Sequence, residues 1–385
     1  MTKRCVVVGA GIIGLATAWQ LKQQGFAVTV VDPQPVSGAS WAAAGMLAPV
    51  AEVVWDQPGL YPLMVESGQL YRDFVTDIAD AAQVSLEELG YVENGTYVCA
   101  GDGADRRYLQ ELMGLQHAMG MTIESVTARQ VRQSEPSVGP GCVGAVSIPN
   151  DHQVDPRKLY AQLLQLIGEE NLVRQYVQAV VWEGRDEDGG EVGSAEGRRV
   201  VGVQLDDGTT IEADEVLLAT GTGIDSIAGL PERLRLPVRP VYGDVIRMSV
   251  PERLQPLTFR TIRGIVHGRP VYIVPRPDGS VVLGATSRED GRSGTSAEGV
   301  YQLLKDAYRL VPAILECDIE EITTKARPGS PDDIPMLGRV AEGLTISTGY
   351  FRHGILLAAL GATLGAKVVS GKGDVPTSMD PWRFS

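Results

Sequence analysis

A chain of 385 residues with 44% apolar and 6% aromatic content suits a globular α/β protein of two domains, or of one large domain with an inserted lobe. Its net charge of −14 excludes nucleic acid as a partner, because phosphate binding needs a basic surface. A local pair of arginines can still reverse that field inside a pocket.

The chain opens on a short apolar run, Cys5–Val8, followed by Gly9-Ala10-Gly11-Ile12-Ile13-Gly14, a helical pattern, and a second apolar run, Ala27–Val31, closed by Asp32. Each glycine has a mechanical task. Gly9 allows the tight turn out of the strand, Gly11 lets a pyrophosphate approach the backbone, and Gly14 lets the helix pack closely on the sheet. The helix N-terminus presents unpaired N–H groups to phosphates. Asp32 sits where a carboxylate can bind both hydroxyls of an adenosine ribose. The pattern predicts dinucleotide binding.

Residues 37–49 (SGASWAAAGMLAP) are unusually small, as a backbone lying against a flat ligand requires. Beyond them the spacing predicts an amphipathic helix over 58–82, a strand near 95–100, helices over 105–120 and 127–135, and a strand near 143–149. Asp155 and Pro156 open a further helix ending at Gly168. Strands are expected over 172–182, 199–205 and 211–219, the last running into Thr220 and Gly221. The polar stretch 183–197 reads as a hairpin loop. Alternating segments over 237–249, 264–276 and 280–286 suit an antiparallel sheet with one covered face. A helix over 301–310, a strand over 344–348 and an apolar helix over 355–369 complete the chain.

Cys5, Cys99, Cys142 and Cys317 are far apart and the four histidines are not at ligand spacing, so neither a disulfide framework nor a metal site is indicated. Reduced cysteines, the lack of a signal sequence before the first strand, and the lack of a long apolar run predict a cytoplasmic protein without a membrane span.

Four segments together resemble the glycine oxidase and D-amino acid oxidase family of FAD-dependent amine oxidases, and most of all its thiamine-biosynthesis branch. They are VVVGAGIIGLATAWQL, ASWAAAGMLAP, VYIVPR with VVLGAT, and ARPGSPDDIPMLGR leading to TGYFRHGILLAALGA; they come in the family's order along nearly the whole chain. The resemblance implies a discontinuous Rossmann-like FAD domain of the glutathione-reductase type (1–85, 150–235, 325–385). A substrate domain with a large antiparallel sheet (86–149, 236–324) would interrupt it. Ile12, Ile13, Asp32 and Pro33 would then line the adenosine and phosphate site, with an adenine contact near Ala179 or Val180. Ala39, Ser40, Ala44, Gly45 and Met46 would lie along the pyrophosphate and flavin. Tyr350, Phe351, Arg352, His353, Gly354, Ile355 and Leu356 would run past the flavin ring.

The same resemblance implies oxidation of a small amine by hydride transfer from Cα to flavin N5, with no general base. Arg327, Arg352 and Tyr272 would hold the substrate carboxylate. A guanidinium fork fixes a carboxylate in orientation as well as position. The bland alternatives are a surface ion pair of Arg327 with Asp332 or Asp333, and a half-buried strand residue for Tyr272. Ser287 and Arg288 stand where the family often carries an apolar residue and suggest a more polar pocket wall, while Pro270 and Val271 replace more polar residues before the matched tyrosine. FAD is expected to be noncovalent, because Cys317 matches no linkage motif. A homo-oligomer (tetramer or dimer) is the family tendency. The competing readings are a D-amino acid dehydrogenase passing electrons to a quinone, a nicotinamide-dependent dehydrogenase, and a flavin-binding protein without turnover.

Overall fold

The computed structural model describes residues 2–184 and 198–385. Two large sheets organise them. The first has six strands in the order Met336–Ala341, Leu344–Thr348, Glu215–Leu218, Arg4–Val8, Ala27–Val31, Leu172–Val173. All neighbours are parallel except the first pair. Parallel strands are covered on both faces, which is why VVV and VLL run without alternation. Cys5 and Val7 face the helices Ile12–Gln23 and Ala358–Ser370, while Val6 and Val8 face a small sheet formed by Val177–Trp182, Val200–Leu205 and Thr210–Glu212. Gly365 lets the two helices approach until a Cβ there would lie 3.2 Å from the Thr17 methyl.

The second sheet has eight strands: Asp318–Gly329, Arg239–Ser249, Val281–Gly284, Arg269–Pro275, Thr261–Val266, Thr96–Ala100, Gly144–Ile148 and Glu124–Val126. Only Thr261–Val266 with Thr96–Ala100 is parallel. The helix Ala297–Leu310 packs on one face, burying Leu303, Ala307 and Leu310 against Ile246, Ile262, Ile273 and Leu283. The opposite face carries Val245, Val274 and Val282 against Ala44, so it meets the small-residue loop. That loop is itself held in a third sheet, where Met46–Leu47 pairs with His152–Val154.

Three expected strands prove to be pairs. The stretch 172–182 divides into Leu172–Val173, which edges the parallel sheet, and Val177–Trp182, which leaves it. The stretch 211–219 breaks at Asp214, whose N–H is donated to the Arg4 carbonyl. The stretch 264–276 is a hairpin, Thr261–Val266 and Arg269–Pro275, turning at His267 and Gly268 with φ of 52° and 76°. Partners across that two-residue turn share a face but differ in parity, so the buried positions shift from 262, 264 and 266 to 271 and 273, a slip in the alternation that marks the hairpin. The final helix starts at Ala358 because residues 351–353 form a separate short turn. The strands Asp318–Gly329 and Met336–Ala341 were not expected. Of the hairpin loop expected over 183–197, residues 185–197 lie outside the described residues; the strands flanking it pair antiparallel. No helix among the described residues is long and apolar enough to cross a membrane.

Candidate functional site

Between the two sheets lies a cavity of about 620 Å³ that starts at the C-terminal ends of the parallel strands. Gly9 turns there with φ of 103°, open to glycine alone at low cost, and donates its N–H to the Val31 carbonyl at 2.8 Å. A Cβ on Gly14 would overlap the Gly9 carbonyl oxygen, so this glycine sets the distance of helix from sheet. Asp32 accepts the N–H of Ala10 at 2.7 Å and of Gln34 at 2.9 Å, one on each carboxylate oxygen. Each oxygen keeps a second lone pair, which suits the two hydroxyls of a ribose. Ser40 Oγ accepts the Ile12 N–H at 3.1 Å, and the Tyr160 hydroxyl donates to the Ala10 carbonyl while accepting the Val36 N–H at 2.8 Å.

Almost every residue expected at the cofactor lines this cavity: Gly9, Gly11, Ile12, Ile13, Asp32, Pro33, Ala39, Ser40, Ala44, Gly45, Met46, Gly221 and the whole run 350–356. Gly14 stands behind it as a spacer. Val180 also stands behind it, buried, with its N–H donated to the Ala228 carbonyl. The cavity wall on that side is Gln175, Tyr176 and Val177.

The small-residue loop is gripped from below by three arginines, of which Arg276 alone falls in a quoted segment, VYIVPR. Arg157 Nε and Arg247 Nη2 each donate to the Trp41 carbonyl at 3.2 Å, and Arg247 also reaches the Ala43 carbonyl at 3.2 Å. Arg276 Nη2 takes the Ala44 carbonyl at 2.6 Å. The Arg157 guanidinium also stacks over the Trp41 ring at 4.1 Å. Burial, reinforced by Arg157 and Arg276, pulls the Arg247 guanidinium down to about 10.

At the far end of the cavity the expected Arg327, Tyr272 and Arg352 come together from a strand, a second strand and a turn. Two glycines make room for them. A Cβ on Gly243 would overlap the Arg327 guanidinium, and one on Gly284 would overlap the Tyr272 hydroxyl. Arg327 Nη1 donates to the Thr286 carbonyl at 3.1 Å, and no carboxylate among the described residues forms an ion pair with it. Asp332 and Asp333, the surface alternatives, instead pair with Arg383 and Arg239. Burial lowers the Arg327 pKa and raises that of Tyr272, leaving an under-compensated guanidinium beside a neutral hydroxyl. Arg352 is exposed to the cavity side and lies over the Phe351 ring at 4.8 Å.

Two further residues at this end, Glu52 and Arg263, have no local signature, and the expected His353 lies with them. Glu52 and Arg263 form an ion pair, their side chains only 14% and 13% exposed. Arg263 stands directly opposite Tyr272 in the strand register. His353 is 2% exposed, and its Nε2 has no hydrogen-bond partner. Burial holds His353 down at about 4, so the ring is neutral. Burial pushes the Glu52 carboxyl up, but Arg263, His353 and Arg352 outweigh it and bring the group to about 2.

The expected wall needs two corrections. Ser287 and Pro270 line the cavity, but Val271 packs into the core on the other face of the sheet, and Arg288 does not line the cavity either. Its guanidinium turns back to Asp244 at 3.3 Å, Asp290 at 3.1 Å and the Gly294 carbonyl at 2.9 Å. Asp244 is fully buried and would otherwise be uncompensated. None of the four cysteines lines the cavity; Cys317 packs into the core on the other side of the eight-stranded sheet. No group of three or more potential metal ligands occurs among the described residues.

The cradle fits FAD in kind: small residues along one wall, a helix N-terminus, a carboxylate for a ribose, and a buried His353 nitrogen without a partner. Known proteins agree. Residues 4–367 match the model of the family described as FAD dependent oxidoreductase (DAO). The bifunctional protein ThiO/ThiG of Nostoc sp. is 33% identical over 371 residues, covering 96% of this chain and 53% of that protein. The chain thus spans about half the length of the curated relatives that it matches at this level. The glycine oxidase of Geobacillus kaustophilus is 29% identical over 95% of this chain and 92% of its own. A crystal structure of the glycine oxidase from that organism superposes with a TM-score of 0.84 at 26% identity, covering 99% of each chain. An iminodiacetate oxidase from Chelativorans sp. superposes at 0.82, with 26% identity over 98% of this chain and 99% of that one.

Proposed function

The chain belongs to the FAD dependent oxidoreductase family, and from that premise we propose that it oxidises glycine and other small amines such as sarcosine and small D-amino acids. It is an FAD-dependent enzyme of the amine-oxidising kind. The products in this reading are an imine, hydrolysed to the 2-oxo acid and ammonia or amine, and hydrogen peroxide from oxygen. Iminoglycine released in this way would serve thiamine thiazole synthesis, the role that the relatives' ThiO name suggests. The reading includes noncovalent FAD, a homo-oligomer, a cytoplasmic location, and the division into an FAD domain (1–85, 150–235, 325–385) and a substrate domain (86–149, 236–324).

The observation that carries it is Arg327: a partly buried guanidinium that lacks a protein counter-ion, with the Tyr272 hydroxyl and Arg352 beside it. A charge in that position is stabilised by an incoming anion. FAD, when bound, supplies the acceptor for the hydride that leaves Cα. The chain's own part is to hold the substrate. Arg327 offers two parallel N–H groups to its carboxylate, and Tyr272 donates its hydroxyl to the same group. The Thr286 carbonyl and the space left by Gly243 keep the guanidinium in place. No side chain takes a proton, because an amine that arrives neutral needs no base.

A panel of glycine, sarcosine, D-alanine and D-proline, with peroxide detected in air, tests the reading. Turnover of at least one with peroxide release is expected. Reduced flavin that persists under oxygen would instead favour the quinone-dependent dehydrogenase.

A further inference from the structure

Among the described residues two carboxylates line the cavity, and they sit at opposite ends. Asp32 belongs to the nucleotide cradle. Glu52 stands at the substrate end, among the guanidinium groups of Arg263, Arg327 and Arg352. Its placement is built rather than incidental. The Asp151 carboxylate, fully buried, accepts the N–H groups of Val50 and Ala51 at 3.2 and 2.8 Å and so fixes the backbone immediately before Glu52. Arg263 then holds Glu52 Oε1 through Nη1, from the strand position opposite Tyr272. Oε2 has no protein donor among the described residues. Nothing in the cofactor cradle calls for an anion here, and Arg327 does not pair with it.

We propose that Glu52 receives the amine end of the substrate, so that a small amino acid is read at both ends: carboxylate by Arg327 and Tyr272, neutral amine N–H by Glu52. The assignment rests on the carboxylate-clamp reading above and adds the group that fixes the nitrogen. Two anchored ends leave Cα one orientation, whereas a carboxylate clamp alone permits rotation about the C–Cα bond. Glu52 stays ionised throughout the working range, since its neighbours hold it at about 2. Arg263 is a positioning residue: it keeps Glu52 turned to the cavity and offsets the cost of enclosing its charge.

The charge sign makes the test two-sided. Glu52→Gln in the FAD-loaded enzyme is compared with wild type for glycine turnover and for competitive inhibition by acetate, which has the carboxylate without the amine. The glycine KM should rise about tenfold or more, as for loss of a charged hydrogen bond. The acetate inhibition constant should stay level or fall, because a negative charge near the clamp has been removed. Glu52→Asp should recover part of the glycine KM. Weakening of glycine and acetate by the same factor would overturn the assignment and make Glu52 a structural support for the clamp. An unchanged glycine KM would overturn it outright. If Glu52→Gln loses FAD, Glu52→Asp provides the second variant: it keeps the charge but withdraws it from the nitrogen, so the glycine KM should rise while the acetate inhibition constant stays level, and an unchanged glycine KM would overturn the assignment. A wild-type enzyme that turns over no α-amino acid on the panel would sink the functional reading itself, a result distinct from any of these.

Discussion

The two ends of the cavity are built on different principles. At the cofactor end the contacts come from backbone and from small residues close together in sequence: Gly9, Gly11, Asp32, Ser40 and Gly45 all fall within the first 45 positions. At the substrate end they come from charged side chains far apart, with Glu52, Arg263, Tyr272, Arg327 and Arg352 carried by five separate segments. Backbone recognition tolerates little change of shape but needs few specific side chains. Side-chain recognition depends on each group and on what holds it. The cofactor end therefore speaks for the family, and the substrate end for the individual enzyme.

Substitutions at the two ends should fail differently. Gly14→Val forces a side chain into the Gly9 carbonyl, where neither helix nor strand can yield cheaply; FAD affinity, read by fluorescence titration, should fall on the order of 100-fold. Arg327→Ala should keep the yellow colour and lose on the order of 100-fold in kcat/KM for glycine, a contrast that retention of FAD alone would not predict. A colourless Arg327→Ala protein would erase the distinction between the ends.

His353 tests the boundary between them. Buried and held at about 4, it binds a proton less readily in the folded than in the unfolded chain, where the value is near 6.5. Its contribution is thus present above pH 6.5 and lost as pH falls toward 4, by up to about 3 kcal/mol. The wild-type unfolding midpoint should drop over that window more steeply than that of His353→Gln, with FAD loading matched. Tyr272→Phe removes one hydroxyl donor and should raise the glycine KM about tenfold with FAD binding intact. Arg288→Lys, which keeps a positive charge against the buried Asp244, is expected to change kcat/KM less than about threefold, because that side chain serves Asp244 and not the cavity; a larger change would return Arg288 to the pocket wall.

The nucleotide cradle was legible because its physics is local. A glycine with φ of 103° and a helix that must touch a strand leave their mark within fourteen residues. Arg327, Arg352 and Tyr272 were reachable through the family resemblance, and the structure brings all three to one place. Arg157, Arg247 and Arg276 hold the loop at Trp41, Ala43 and Ala44, and only Arg276 left a trace, its place in VYIVPR; each donates to a carbonyl, and a carbonyl is present at every residue. Arg288 misled for a related reason: its position beside Ser287 implies the same wall, but the adjacent residue on a chain leaving a strand faces the other way.

Glycines, apolar runs and one carboxylate were enough to specify from sequence a parallel sheet that cradles a dinucleotide, since each acts on neighbours a few residues away. Which charges meet at the other end was decided only by tertiary structure. Glu52 and Arg263 are 211 positions apart, and only the strand register opposite Tyr272 and the Asp151 grip on residues 50 and 51 bring them together. Coulomb attraction acts over distances in space, and the order of residues along the chain does not record those distances.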